Sequence, residues 1–158
     1  AAGLKSTTAL YGYFRSKQHI ATELYAMVLD SLNISIDDIR RRNSKAADQL
    51  HGIVDLLFKL AEDAPDVIRF LLLVKSCEFL PEEKNFLDTP AVNKMLKIMQ
   101  AGIKSGEIRH ADPRLCYSYF FGIVDNVLRL ALHGDMDKKV DSYQSQTWLV
   151  AWNSIAKK

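Results

Sequence analysis

The sequence is poor in the residues that staple, kink or anchor a chain. It contains only two cysteines among 158 residues. Cys77 and Cys116 lie far apart and lack C-x-x-C spacing, which excludes a disulfide framework and a zinc ribbon and fits a reducing compartment. Four prolines and seven glycines are too few for a proline-rich or collagen-like chain. No apolar run approaches the roughly 20 residues that a membrane-spanning helix needs; the run from Phe70 to Val74 is five residues long. No signal peptide is visible, so the chain reads as cytoplasmic with no membrane partner. Acidic residues are missing from one region only. Between Ala1 and Thr22 there are Lys5, Arg15 and Lys17 but no Asp or Glu, an end suited to a polyanion even though the net charge is only +2.

Motifs for enzyme chemistry are absent as well. There is no glycine-rich phosphate loop and no G-x-S-x-G elbow, so neither catalysis nor a cofactor is expected. Glu107-x-x-His110 has the spacing of a carboxylate-bridged di-iron bundle, but that site requires two copies on helices. Here one copy lies between Gly106 and Asp112-Pro113, in a region read as a loop, and no metal is expected.

What is present is helical periodicity. With 48% hydrophobic and 25% charged residues the chain can build one sizeable core. A turn at Ala2-Gly3-Leu4 and a short helix capped by Ser6, Thr7 or Thr8 are expected first. Ser16 then opens a long helix carrying Ile20, Leu24, Met27, Val28 and Leu32, which ends near Arg40-Arg41-Arg42. Ala46, Leu50, Ile53, Val54, Leu57 and Ala61 form the stripe of the next helix, which stops at Asp63-Ala64-Pro65. A buried helix follows from Pro65 to about Phe79, then a polar connection from Leu80 to Asp88. Thr89-Pro90 and Asp112-Pro113 each give a cap followed by an N1 proline, and Gly106 closes the helix between them. A last helix runs from about Val140 to Ala156. No strand pattern is evident, and the fold class is all-α.

The octet Leu10-Tyr11-Gly12-Tyr13-Phe14-Arg15-Ser16-Lys17 is aromatic and basic. Together with Ala2-Gly3-Leu4, Ala9-Leu10-Tyr11, Tyr13-Phe14 and Ser16-Lys17-Gln18-His19-Ile20, it resembles the tetracycline-repressor (TetR/AcrR-type) family of bacterial transcription regulators. Ala9 stands where the family usually has Thr, and His19 where it often has Glu. The resemblance implies an N-terminally truncated chain. Residues 1–20 would be the C-terminal part of a helix-turn-helix DNA-binding head, joined by the long helix to a regulatory bundle of residues 21–158.

The same resemblance implies a ligand-responsive regulator, a repressor released from double-stranded operator DNA by a small apolar or amphipathic effector. Thr7, Thr8 and Tyr11 would face DNA, Tyr13 and Lys17 would contact its backbone, and Lys5 and Arg15 lie near enough to assist. An effector site inside the bundle would draw on the bulky or polarizable side chains Phe58, Phe70, Cys77, Met95, Met99 and Tyr119, with Asn126 as a polar group on the same stripe as Tyr119. A homodimer interface would use Phe120, Phe121, Val124, Leu128, Trp148 and Trp152. The competing expectation is a helical ligand-binding or protein-interaction module that does not touch DNA.

Overall fold

The computed structural model describes the backbone of residues 2–73 and 89–158, with side chains from residue 17 onward except 18 and 73. Cys77 and the connection from Leu80 to Asp88 lie outside the described residues. The described chain is all-α, in the order α1 (Ala2–Arg42), α2 (Ala46–Asp63), α3 (Pro65–Leu73), α4 (Pro90–Ser105), α5 (Pro113–Leu132), a 3-10 turn (Val140–Tyr143) and α6 (Gln144–Ile155). Among the described residues the one β-bridge is antiparallel, between Ile108 and Ala156.

The first helix departs from expectation. Neither a turn at Ala2-Gly3-Leu4 nor a restart at Ser16 interrupts it, and α1 continues across residue 20 without a break. The physical reason is the lack of a strong breaker. The first proline is Pro65, and one internal glycine such as Gly12 costs a helix only about 1 kcal/mol. The side chains expected to line its buried face also divide differently. Leu32 packs against the core, whereas Ile20, Leu24 and Met27 are exposed.

The remaining helices start and stop where their local chemistry dictates. Asp66 stands in the first turn of α3, behind Pro65. Asp112 caps α5, its carboxylate accepting the Arg114 N–H at 2.8 Å, and Pro113 occupies N1. Gly106 ends α4 with φ of 83°, the left-handed conformation that favours glycine. The start of α2 is capped from a distance. Lys45 offers no capping side chain; instead Glu107 accepts the N–H groups of Ala46 and Ala47 at 3.0 and 3.2 Å and the Ser105 hydroxyl at 3.0 Å. Glu107 therefore has a structural task, and no cluster of metal ligands occurs among the described residues.

Partial burial pushes the Glu107 carboxyl up, but its three donors outweigh that and hold it below the ordinary carboxylate range. A lowered carboxyl stabilises the fold above its unfolded-state value and loses that contribution as pH falls through the folded value. Glu107→Ala is expected to destabilise the protein by about 1 kcal/mol near neutrality. Urea denaturation should show this deficit shrinking in acid, where the wild-type carboxylate is itself protonated.

The core is formed by one face from each helix. Leu50, Ile53, Val54 and Phe58 of α2 meet Val92, Met95, Ile98 and Met99 of α4, and α5 contributes Phe120, Phe121, Val124 and Leu128. Helix α5 packs most extensively on α6. The rings of Phe120 and Trp148 lie 6.0 Å apart edge to face, and Trp148 stacks on Trp152 at 5.6 Å. Among the described residues Pro113–His133 is long and apolar enough by composition to cross a membrane. Its apolarity has a use inside the bundle, where one face of it is core.

Candidate functional site

A cavity of about 150 Å³ opens in the middle of the bundle, with walls from α1, α2, α3, α4 and α5. Most of its lining is aliphatic, including Leu32 and Ile36 from α1, Leu57 from α2 and Val92 from α4. Four residues change its chemistry. Tyr25, Tyr117 and Phe121 bring aromatic rings, and Asp125 brings a carboxyl. Thr89, just ahead of α4, and Arg129, one turn beyond Asp125, also reach the lining.

Asp125 is half-buried, and no described residue hydrogen-bonds to it or pairs with it at salt-bridge distance. Burial pushes its carboxyl up to about 6, and the positive charge of Arg129 offsets only part of that. Burial together with the nearby Asp125 charge raises the Tyr117 phenol further still, so it stays neutral and can donate a hydrogen bond. The arrangement is an apolar chamber with one carboxylate and a ring-bearing wall. It has the features of a small-molecule site: mostly hydrophobic, with few and localised polar groups.

The expected effector residues are distributed unevenly. Met95 lines the cavity. Phe58 and Met99 are fully buried in the core outside it. Phe70 stands behind the wall, its ring 6.0 Å from that of Tyr25. Tyr119 and Asn126 require correction: Tyr119 is 48% exposed and Asn126 is exposed too, both on the outer face of α5. Two stripes compete on that helix, and the one bearing Cys116, Tyr117, Phe120, Phe121, Val124 and Leu128 is the one that turns inward. Its greater aromatic content is the signal that decides the register. Sequence reasoning missed Asp125, although it is the lone acid between Pro113 and Leu132.

The same register corrects the expected dimer residues. Phe120, Phe121, Val124 and Leu128 are buried within the chain's own core, Phe120 at 0% exposure, and cannot meet a second subunit. Trp148 and Trp152 are half-buried against that core. The outward face of α5 instead carries Leu115, Tyr119 and Leu130, and α6 exposes Leu149 and Val150, with Leu149 56% exposed. Leu115, Tyr119, Gly122, Asn126 and Leu130 recur at spacings of three and four residues, which places them on one side of the helix.

The residues expected to read DNA, Lys5, Thr7, Thr8, Tyr11, Tyr13, Arg15 and Lys17, all fall on the N-terminal part of α1. Lys17 is exposed; the side chains of the other six lie outside the described residues. Helix α1 then continues into the bundle, where Tyr25, Leu29, Leu32 and Ile36 line the cavity. With a rise of about 1.5 Å per residue, only about 12 Å of helix separates Lys17 from Tyr25.

No protein-family model matches the chain, and no curated protein matches it in sequence. Solved structures do share its fold. The crystal structure of a TetR family transcription regulator from Marinobacter aquaeolei VT8 is similar with a TM-score of 0.63 and 18% identity, over 87% of this chain and 71% of that one. A protein of unknown function from Rhodococcus sp. RHA1 is similar with a TM-score of 0.70 and 14% identity, over 89% of this chain and 73% of that one. At these identities the likeness shows the fold alone: the chain shares the all-α architecture of these two structures.

Proposed function

We propose that this protein is a cytoplasmic, ligand-responsive transcriptional regulator that acts as a homodimer and represses by binding double-stranded operator DNA. The observation that carries the reading is the apolar cavity in the bundle, because one helix, α1, both lines it and bears the basic, acid-free segment of residues 5–17. A small molecule in the cavity that favours a different tilt of α1 displaces that segment and changes the spacing of the two reading heads in a dimer. The coupling required is modest, about 1–3 kcal/mol, or roughly 5–150-fold in operator affinity. The dimer is assigned to the exposed side chains Leu115, Tyr119 and Leu130 of α5 and Leu149 and Val150 of α6, two helices that pack on each other, because exposed apolar side chains favour association.

The test is a gel-shift titration of the protein as its gene encodes it, on the DNA upstream of that gene. Retardation that outlasts non-specific competitor and weakens steeply with salt is expected, since phosphate contacts release counterions. Absence of any shift at moderate salt would leave a helical ligand-binding module that does not touch DNA.

A further inference from the structure

We propose that the bundle cavity selects a protonated apolar amine, with Asp125 as its counter-ion and the rings of Tyr25, Tyr117 and Phe121 as the wall against which the cation packs. This inference rests on the reading of the cavity as an effector site and names the chemical class of the effector.

Among the described residues the Asp125 carboxyl has no partner. A carboxylate withdrawn into an aliphatic chamber is unfavourable unless something compensates it. Among the described residues Asp125 has no hydrogen-bond donor and no cation within salt-bridge distance. Arg129, on the same helix, acts on it only through space. Among the described residues the other charged or titratable groups on the lining are Tyr25 from α1 and Tyr117 from α5, whereas α2, α3 and α4 contribute aliphatic and thioether side chains. Asp125 is the one carboxylate on the described lining, and a bound ammonium group would supply its missing partner.

The aromatic wall adds to this preference. The faces of aromatic rings attract cations, most strongly where water is excluded, and Tyr117 and Phe121 are held together with ring centroids 5.0 Å apart. Size sets the remaining limit. An apolar cavity of about 150 Å³ is comparable with one that accepts benzene, so a single ring with a short cationic arm is the scale that fits. A carboxylate ligand would have to approach Asp125 for the sake of Arg129, an exposed side chain at the rim.

Benzylamine, benzyl alcohol and benzoate have nearly the same shape and differ in charge, so they separate the possibilities. Isothermal titration of the full chain well above pH 6 should rank benzylamine first, with benzyl alcohol weaker and benzoate weakest. Because the Asp125 carboxyl titrates near 6, benzylamine binding should fall by about tenfold per pH unit below that value while benzyl alcohol binding stays flat. Asp125→Asn should lose roughly 30-fold or more for benzylamine and leave benzyl alcohol within about twofold. The substitution removes a charge that burial opposes, so the variant is expected to melt no lower than wild type near neutrality. A wild-type ranking with benzoate or benzyl alcohol first would overturn the cation assignment and leave the effector cavity standing. Binding of none of the three would overturn both.

Discussion

Leu149→Asp is expected to turn a dimer into a folded monomer, with the sedimenting mass halved and the helical circular dichroism and melting temperature of the subunit little changed. The side chain is 56% exposed on α6 and has no part in the subunit's core, so the substitution spares the interior. In an interface with two-fold symmetry each copy of the charge is desolvated against the partner's apolar face, and the penalty is incurred twice. Association should weaken by on the order of 10²–10³-fold. Tyr119→Arg on α5 should act in the same direction. Retention of the dimer by both variants would remove the outward face of α5 and α6 from the account.

Phe120→Ala should do the reverse: it should lower stability by about 3–5 kcal/mol without loosening the dimer directly. The ring is fully buried, 4.9 Å from that of Phe121 and 6.0 Å from that of Trp148. Its removal leaves a cavity where α5 meets α6, and neighbours that are themselves anchored relax only in part. Urea unfolding followed by tryptophan fluorescence, with Trp148 as a near reporter, measures the effect. A loss below about 1 kcal/mol would mean that Phe120 is not a core residue. The contrast between Phe120 and its neighbour Tyr119 is informative because the two are adjacent in sequence and perform opposite tasks.

That adjacency also explains what the sequence could and could not convey. Helix starts and stops at Pro90, Gly106 and Asp112-Pro113 were legible because each depends on a local rule of backbone geometry or hydrogen bonding. The inward stripe of α2 was legible because its opposite face is polar. Helix α5 is apolar on two sides, one for the core and one directed outward, so periodicity alone left a choice of register and the Tyr119–Asn126 stripe was assigned to the wrong side. The Glu107 cap escaped notice because it joins residues about 60 positions apart, which no local rule anticipates. Asp125 carries a signal that was available, one acid in a long apolar helix, but its meaning depends on which side of α5 faces inward. At Ser16 the local rules favoured a break, and continuous helix prevailed because no residue in that stretch is incompatible with it.

The outward face of α5 and α6, the cavity beneath it and the basic segment of α1 form one proposed device, in which dimer geometry presents two reading segments to DNA. The most direct measurement of that claim is selection from random DNA duplexes by the protein as its gene encodes it, performed in parallel with the Leu149→Asp variant. The account predicts enrichment of a two-fold symmetric site with half-sites about one helical turn apart, or a multiple of it, and loss of that site in the variant. Enrichment of no sequence, or of an unsymmetrical site bound equally well by the variant, would contradict it.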